Sequence, residues 1–222
     1  MCGNISNYMR NKCWNFENGK RDHRNSNYII DRFVTGKKVL DVGCGMGFYS
    51  EYLANKGFNV TAVDIEKQFV PKKSKFELAN AENLPFEDES FNTVLLFDIL
   101  EHGDDQKILK EAHRVCKKRI ILSVPNKDDS FLPKYNLTFK YHKDKTHRRE
   151  YTQEEIKKLL ERFGFRTLRI ASEGEISPFV FASFLRPPLS YVCLGLIFIL
   201  KKLKLFKPLP KADIYYVGDR AE

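Results

Sequence analysis

The amino-acid sequence predicts an α/β fold built on a mainly parallel sheet, and three observations support this. From residue 37 onward, apolar runs of strand length alternate with segments of helical periodicity, the pattern that produces parallel sheets. A glycine-rich turn, "DVGCGMG", follows the first of these runs. The 222 residues, 42% of them hydrophobic, suffice for one domain with a buried core but not for two full domains.

The predicted elements follow from apolar periodicity and from helix-capping residues. Seven short apolar runs predict strands at 37–42, 58–63, 75–79, 91–97, 119–124, 165–171 and 212–218. Helical patterns lie at 25–33, 48–56, 106–116 and 152–164. The last helix has the clearest boundaries, because Thr152 and Glu155 fit a capping box and Gly164 stands at its C-terminal end.

Composition limits the location of the protein and the chemistry available to it. The five cysteines are scattered without a CxxC pair, so neither a disulfide framework nor a zinc site is indicated, and a reducing cytoplasm fits best. Residues 1–24, expected to form an N-terminal extension to a domain over 25–222, lack the apolar core of a signal peptide. The net charge of +9 suits an anionic partner, although solvated lysines explain it equally well.

The glycine-rich turn predicts a ligand site. Gly43, Gly45 and Gly47 let the backbone turn sharply and let a ligand approach the main-chain N–H groups. Their spacing, G-x-G-x-G preceded by Asp41, differs from the G-x-G-x-x-G of dinucleotide sites. A carboxylate at this point suits a ligand with a cationic amine, such as an amino-acid group. A purely structural turn is the alternative.

Two polar residues that follow the next strands extend this site. Asp64, at the end of the second strand, can accept hydrogen bonds from both hydroxyls of a ribose. Asn80 follows the third strand and offers an amide that can recognise an adenine edge, with Leu84 and Phe86 as apolar cover for the ring. The residues suited to bind an amine, a ribose and a base therefore follow one another in this order along the chain. A helix-capping role for Asp64 is the alternative.

Four ordered motifs resemble those of the class I S-adenosylmethionine-dependent methyltransferases, most closely the type 11 subgroup. They read "DVGCGMG", "VDIE", "AENLPFEDESF" and "ILEH", and the resemblance covers roughly residues 25–172. It implies a Rossmann-like seven-stranded sheet of order 3-2-1-4-5-7-6, with an antiparallel last strand and helices on both faces. It also implies S-adenosyl-L-methionine as the cofactor.

The resemblance further implies roles for individual residues. The first motif would hold the methionine part of the cofactor, Asp64 the ribose, and Asn80 with Ala81 the adenine. The implied cofactor-binding residues are Asp41, Gly43, Cys44, Gly45, Gly47, Asp64, Ile65, Asn80, Ala81, Glu82 and Phe97. The family usually has Asp where Asn80 stands, so we expect the adenine contact here to be weaker or differently oriented.

The candidate catalytic residues follow the fourth strand, at the edge where α/β sheets bind ligands. Asp98, Glu101 and His102 are expected close to the methyl group that is transferred. His102 is the first candidate for a general base, with Asp98 and His147 next. A structural histidine that caps the following loop explains His102 equally well. No HxxE or DxH cluster is clear enough to indicate a catalytic metal, so the sequence predicts no metal site.

Residues 126–150 are predicted to form a lid over the acceptor site. Loops of this length in compact domains are usually functional, and this one mixes aromatic with basic side chains. That mixture suits an acidic or aromatic acceptor. It could also bind a single nucleic-acid strand, but the basic groups are few and no RNA-binding module is visible, which disfavours nucleic acid.

A hydrophobic insertion, predicted over 173–211, separates the sixth and seventh strands. Two neighbouring strands of one sheet lie on one side of a membrane, so an insertion between them crosses a bilayer twice or not at all. The uncharged run 189–200 would extend about 18 Å as a helix, against about 30 Å of hydrocarbon. Three alternatives remain: peripheral contact with an anionic membrane through 179–207, a lid over the active site, or a dimer interface.

The sequence as a whole predicts a cytoplasmic methyltransferase, membrane-associated at most from the cytoplasmic face. The expected acceptor is a small or lipid-like molecule. An RNA methyltransferase and a non-catalytic protein that binds S-adenosylmethionine are the alternatives. The residues leave the acceptor atom open among oxygen, nitrogen and carbon.

Overall fold

The computed structural model describes residues 24–127, 146–175, 185–203, 205 and 211–221. Within these ranges the chain forms seven strands and five helices. The strands are β1 (Lys38–Val42), β2 (Asn59–Asp64), β3 (Lys75–Leu78), β4 (Phe91–Phe97), β5 (Cys116–Pro125), β6 (Phe165–Glu175) and β7 (Lys211–Arg220). The helices are α1 (Arg24–Phe33), α2 (Phe48–Asn55), α3 (Asp105–Val115), α4 (Gln153–Arg162) and α5 (Leu189–Lys202).

The strands form one sheet of order β3-β2-β1-β4-β5-β7-β6, which confirms the order implied by the resemblance. Neighbours among β1 to β5 are parallel, whereas β7 lies antiparallel between β5 and β6. The order reverses between β1 and β4, which pair in the sheet but are not consecutive in the chain. In α/β sheets the loops that leave the carboxyl ends of two such strands generally diverge, and ligands bind between them.

Both faces of the sheet are buried, as the apolar runs of the parallel strands predict. Successive residues of β4 alternate between two clusters, with Val94 and Leu96 in one and Leu95 and Phe97 in the other. Helices α3 and α4 contribute side chains to the first cluster, and α1 and α2 contribute to the second. The sheet is therefore held rigidly between two helical layers, which fixes the positions of its loops.

Capping interactions determine where α3 and α4 begin. The side chain of Asp104 accepts hydrogen bonds from two backbone N–H groups in the first turn of α3. The capping box predicted for α4 is confirmed. Thr152 Oγ1 accepts from the N–H of Glu155 at 3.2 Å, and Glu155 Oε2 accepts from the N–H of Thr152 at 2.8 Å. Gly164 follows this helix with a φ of 77°, which a glycine adopts without strain.

Some boundaries differ from the prediction. Strand β5 begins at Cys116, directly after α3, because Cys116 pairs with Phe91 through an irregularity in the ladder. The β6–β7 ladder continues until Glu175 pairs with Lys211, so the insertion between the two strands comprises 176–210 instead of 173–211. Most of the predicted N-terminal extension and of the predicted lid lies outside the described residues.

Helix α5 carries an apolar stripe on its exposed side. Val192, Leu196, Ile199 and Leu203 follow one another at helical spacing and are 66%, 56%, 53% and 60% exposed. On the opposite side, Ile197 is 7% exposed. Among the helices that the structure describes, none combines the length and the apolar character needed to span a bilayer. The stripe is therefore an exposed surface feature of a short helix.

The capping box of α4 provides a stability test. Replacing Thr152 with Ala removes the oxygen that accepts from Glu155, so the free energy of unfolding should fall by about 1 kcal/mol. Thr152→Ser retains the hydroxyl and should stay near the wild-type value. Urea denaturation followed by circular dichroism measures both. Equal stabilities for the Ala and Ser variants would contradict the assignment.

Candidate functional site

The glycine turn between β1 and α2 is fastened to the end of β2. The backbone N–H groups of Gly43 and Cys44 both donate to the carbonyl oxygen of Val63, at 2.8 Å and 3.0 Å. Gly43, Gly45 and Gly47 have φ values of 72°, 49° and 69°, in the left-handed region. The chain therefore turns tightly above the sheet edge in a conformation that favours glycine.

At two of these glycines a side chain would also contact a neighbouring residue too closely. A Cβ on Gly47 would lie 2.3 Å from the ring of Phe69, and a Cβ on Gly43 would lie 2.7 Å from Cδ1 of Ile99. Gly45 differs, since a Cβ there would meet no heavy atom within 4 Å. The backbone at Gly45 thus borders open space that a ligand can enter.

Asp41 lies buried beneath the turn. Its side chain is 1% exposed, and its Oδ2 accepts a 2.5 Å hydrogen bond from the Ser50 hydroxyl on α2. Burial raises the pKa of Asp41 to about 6, and the hydrogen bonds from Ser50 oppose that increase. The carboxyl group therefore supports the turn from below, and its expected contact with an amine stays a prediction.

Asp64 connects β2 to the same turn. Its Oδ2 accepts a 2.8 Å hydrogen bond from the N–H of Gly45, and its Oδ1 accepts one from the N–H of Glu66 at 3.2 Å. A carboxylate has about four acceptor positions. Capacity therefore remains for further donors, as a ribose would require. Ile65, next in the chain, is 68% exposed.

Of the predicted site residues that follow β3, one is exposed, and the others are buried or bound to other parts of the protein. Asn80 is exposed and its Oδ1 accepts from the N–H of Glu82 at 2.9 Å. Glu82 is used elsewhere, since its Oε1 accepts from the N–H of Asp104 at 3.0 Å and thereby braces the start of α3. Ala81 is buried. The side chain of Asn80 is thus the polar group on offer to a ligand at this point.

Phe97 and Cys44 have side chains that are packed against protein. The Phe97 ring contacts Tyr49, with 4.6 Å between ring centroids, within the second apolar cluster. Any contact of Phe97 with a cofactor would therefore involve its backbone. Cys44 is 8% exposed, and burial together with the charges of Asp41 and Asp64 raises the pKa of its thiol. Cys44 is consequently a neutral thiol and not a nucleophile.

Asp98 occupies a strained backbone position at the end of β4. Its φ is 50°, in the left-handed region that residues other than glycine rarely adopt. Two hydrogen bonds to β5 hold it there. Its N–H donates to the carbonyl oxygen of Ser123 at 3.0 Å, and its Oδ1 accepts from the Ser123 hydroxyl at 2.7 Å. Such strain concentrates at functional sites, since the surrounding structure has to maintain it.

The candidate catalytic histidines meet beyond the end of β4. The rings of His102 and His147 lie edge to face, with 4.7 Å between their centroids. The Glu101 carboxylate completes the group, and one potential ligand atom from each of the three residues lies within 4.8 Å of the others. Glu101 is fully buried, whereas both histidines are half-buried. Glu101 was expected near the transferred methyl group, but the sequence assigned it neither a catalytic nor a metal-binding role.

The two halves of the site lie at the same edge of the sheet. Ile99, from the loop that carries Glu101 and His102, packs close to Gly43 of the glycine turn. Asp98, His102 and the glycine turn all follow the carboxyl ends of parallel strands. A depression at the opposite edge, around the amino ends of the strands, is lined by Lys38, Asn59, Lys75 and Phe91 among others and is separate from this site.

The buried carboxyl group of Asp41 makes stability depend on pH. Because its folded pKa of about 6 exceeds the ordinary 3.8, its stabilising contribution is complete below that lower value and is lost as the pH rises through the higher one. The free energy of unfolding of the wild type, relative to Asp41→Asn, should fall by about 2 kcal/mol between about pH 4.5 and about pH 7.5. Urea titrations at both pH values measure this. A difference that does not change with pH would refute the raised pKa.

Comparison with known proteins identifies the family. A family model described as a methyltransferase domain matches residues 18–170. A ubiquinone biosynthesis O-methyltransferase from Pseudomonas aeruginosa is 31% identical over 120 residues, 46% of this chain and 50% of that protein. A 2-methyl-6-phytyl-1,4-hydroquinone methyltransferase from Synechocystis is 36% identical over 118 residues, 47% of this chain and 37% of that protein. The chain thus spans half or less of the length of these curated relatives.

Solved structures support the same assignment at the level of fold. A SAM-dependent methyltransferase from Archaeoglobus fulgidus matches with a TM-score of 0.64 and 20% identity, over 98% of this chain and 100% of that one. At that identity the likeness concerns the fold alone. The narrower type 11 assignment stays a prediction. Because the family model matches more than half of the chain, this protein belongs to the methyltransferase-domain family and has the fold of the class I S-adenosylmethionine-dependent methyltransferases.

Proposed function

We propose that this chain binds S-adenosylmethionine and transfers its methyl group to a small-molecule or lipid-like acceptor. One observation carries the proposal: an open glycine turn fastened to Asp64 shares a sheet edge with Asp98 and the His102–His147 pair. The first group suits a nucleoside with an amino-acid tail. The second offers acid–base side chains beside it. Family membership supports the same reaction.

The hydrogen bonds suggest a separate role for each residue in the proposed cofactor-binding half. Gly45 leaves room for the ligand, and Asp64 keeps acceptor capacity for the two ribose hydroxyls. The Asn80 Oδ1 already accepts from Glu82, so its NH₂ group is the part that can donate to a ring nitrogen of adenine. This fits the expectation that Asn80, in place of the usual Asp, contacts the base in a different orientation.

The reaction requires alignment more than elaborate chemistry. S-adenosylmethionine supplies a methyl group on a positively charged sulfur. The protein then has to align the acceptor with that methyl group and exclude water. Asp98, His102 and His147 are the side chains able to hold a hydroxyl of the acceptor or take up its proton. In the tautomer protonated at Nδ1, His102 donates to Thr146 Oγ1 at 3.0 Å, which orients the ring.

The character of the relatives favours an apolar acceptor. One is named for ubiquinone biosynthesis and another for a hydroquinone that bears a phytyl chain. Both names point to a lipophilic molecule with a quinone-type ring, and the first also specifies methylation of oxygen, so a ring hydroxyl is the acceptor group we propose. Such a molecule partitions into membranes, so an enzyme that uses it benefits from contact with a lipid surface.

Helix α5 is our proposed contact with an anionic membrane surface. Its stripe of Val192, Leu196, Ile199 and Leu203 is too exposed to contribute to the protein core. The exposed basic side chains of Arg186 and Lys202 stand at its two ends, and the whole chain carries a net charge of +9. Apolar burial at the headgroup boundary combined with attraction to anionic lipids is how interfacial helices bind. A cytoplasmic protein held peripherally at the membrane is the resulting proposal.

The function is tested through Asp64. Removing its carboxylate in Asp64→Ala deletes two charge-assisted hydrogen bonds to the ribose, so affinity for S-adenosylhomocysteine should fall roughly 100-fold. Isothermal titration measures this, with Glu66→Ala as the control that removes an exposed acid two residues away. Incubation with methyl-labelled cofactor and a lipid extract should transfer label with wild-type protein and not with Asp64→Ala.

Three outcomes would count against the proposed function. If Asp64→Ala bound S-adenosylhomocysteine within twofold of the wild-type affinity, Asp64 would not bind the ribose. Tight binding without label transfer to any fraction would favour the non-catalytic alternative. Label that enters added RNA and not the lipid extract would favour the RNA methyltransferase.

The membrane contact is tested by changing the stripe without deleting it. Leu196→Gln with Ile199→Gln should abolish sedimentation with vesicles that contain phosphatidylglycerol, because the apolar surface available to the headgroup boundary is lost. A matched pair elsewhere, Val70→Gln with Leu168→Gln, also replaces exposed apolar side chains and should sediment like wild type. Binding should weaken in neutral phosphatidylcholine vesicles. Equal sedimentation of both double variants would contradict the proposal. It would also be contradicted if light scattering showed a wild-type dimer that becomes monomeric only in the variant with Leu196→Gln and Ile199→Gln.

A further inference from the structure

We propose that Glu101, His102 and His147 bind a divalent transition-metal ion of the Zn²⁺ type beside the acceptor position. Potential ligand atoms of the three side chains lie within 4.8 Å of one another. Bonds of about 2.0–2.2 Å to a tetrahedral ion would put these atoms roughly 3.4 Å apart. Closing that difference requires the two half-buried imidazole rings to rotate toward the buried carboxylate of Glu101. A metal site here was not predicted from local spacing, because His147 belongs to a distant segment of the sequence.

The donor set selects the kind of ion. Two imidazoles with one carboxylate form the set that catalytic zinc sites use, with a further coordination position left open. Imidazole nitrogen suits Zn²⁺ and neighbouring transition metals, whereas Mg²⁺ and Ca²⁺ prefer oxygen ligands. The fully buried carboxylate of Glu101 puts the negative charge on the protein side of the cluster. The half-buried rings of His102 and His147 stand nearer to the solvent from which the ion and the acceptor enter.

The segment that carries His147 is fixed to the loop after β4. The N–H of Arg148 donates to the carbonyl oxygen of Glu101 at 2.8 Å. The guanidinium group of Arg149 forms an ion pair with Asp105, and the Tyr151 hydroxyl donates to the same carboxylate at 2.9 Å. Asp105 is itself 4% exposed. These contacts preorganise His147 against Glu101, so the cluster is built by several independent interactions and not by one flexible side chain.

The contact to His102 resembles the support that metal-bound histidines receive. Thr146 Oγ1 lies 3.0 Å from Nδ1 of His102. When Nδ1 carries the proton and donates to this hydroxyl, Nε2 keeps its lone pair for the ion. Histidine ligands of metals nearly always make such a second hydrogen bond, which fixes the tautomer and the orientation of the ring.

A metal at this position would activate the acceptor, and this consequence rests on the proposed function. The open coordination position takes the hydroxyl oxygen of the acceptor and lowers its pKa, so its proton leaves to solvent at neutral pH. The oxygen then forms a bond to the methyl carbon while the carbon–sulfur bond breaks. The bonding electrons stay on sulfur, which yields the methylated oxygen and S-adenosylhomocysteine. His102 would then be a ligand and not the general base.

The experiment measures metal binding apart from catalysis. The tag-free 222-residue chain is dialysed against a chelator and titrated with Zn²⁺ by calorimetry and with Co²⁺ by visible absorption. One equivalent should bind, with cobalt bands typical of nitrogen and oxygen ligands. His147→Ala and Glu101→Gln should each weaken the affinity more than about 100-fold, beyond the loss expected from an outer-shell partner. His113→Gln is the matched control, since His113 packs on Phe165 outside the cluster.

The outcomes separate this inference from the proposed function. Circular dichroism and S-adenosylhomocysteine titration on the same samples report folding and cofactor binding. A cofactor-binding protein with no saturable Zn²⁺ site overturns the metal site alone. Metal binding that is unchanged in His147→Ala, or a cobalt–thiolate band in the near ultraviolet, would assign the ion to other residues and overturn it as well. One-equivalent metal binding without cofactor binding would leave the site standing and refute the methyltransferase activity.

Discussion

The attachment of the glycine turn to the end of β2 is the constraint on which the rest of the site depends. Three glycines with left-handed φ values would sample many conformations in an isolated chain. Here the carbonyl of Val63 takes two of the N–H groups of the turn, and Asp64 takes that of Gly45. The parallel register of β1 and β2 brings these acceptors to the turn. The ligand-binding surface is therefore a product of strand pairing.

The reversal of strand order next to β1 completes the site. Since β4 pairs with β1 on the side away from β2, the loop after β4 arrives beside the glycine turn, and Ile99 packs close to Gly43. Asp98, strained at a φ of 50°, begins that loop and is held by Ser123 of β5. The ion pair of Arg149 with Asp105 then draws the segment of His147 to the same place. The proposed cofactor-binding and acceptor-binding groups meet because three separate loops end at one edge.

The β6–β7 hairpin explains how an apolar insertion is compatible with this fold. The ladder from Phe165 to Glu175 pairs along its length with β7, so the chain leaves β6 at Glu175 and enters β7 at Lys211 at the same end of the hairpin. An apolar helix in that position cannot become part of the sheet core. It keeps a stripe of exposed side chains, which costs free energy in water and favours a surface that buries it. The proposed lipid contact satisfies that requirement without a membrane-spanning segment.

The sequence by itself determined most of the elements, and it predicted which residues make up the proposed cofactor-binding half of the site. Apolar strand runs are local signals, and the glycine turn, Asp64 and Asn80 each follow a strand, so chain order alone predicted that they share one edge. The sheet order came from the resemblance of four motifs, and the tertiary structure confirmed it. Boundaries at Cys116 and at Glu175 were not predicted, because ladder pairing with distant strands, and not local propensity, extends β5 and β6.

Tertiary structure alone decided the environment of the charged groups. Whether Asp41 faces a ligand or supports the turn depends on α2 packing over it, and the orientation of Phe97 depends on which face of β4 it occupies. The cluster of Glu101, His102 and His147 could not be read from spacing, since His147 reaches it through contacts to Asp105 and Glu101. Local patterns specify which residues end each strand. Shifts in side-chain pKa and clusters of potential ligands depend instead on which segments, far apart in the chain, pack against one another.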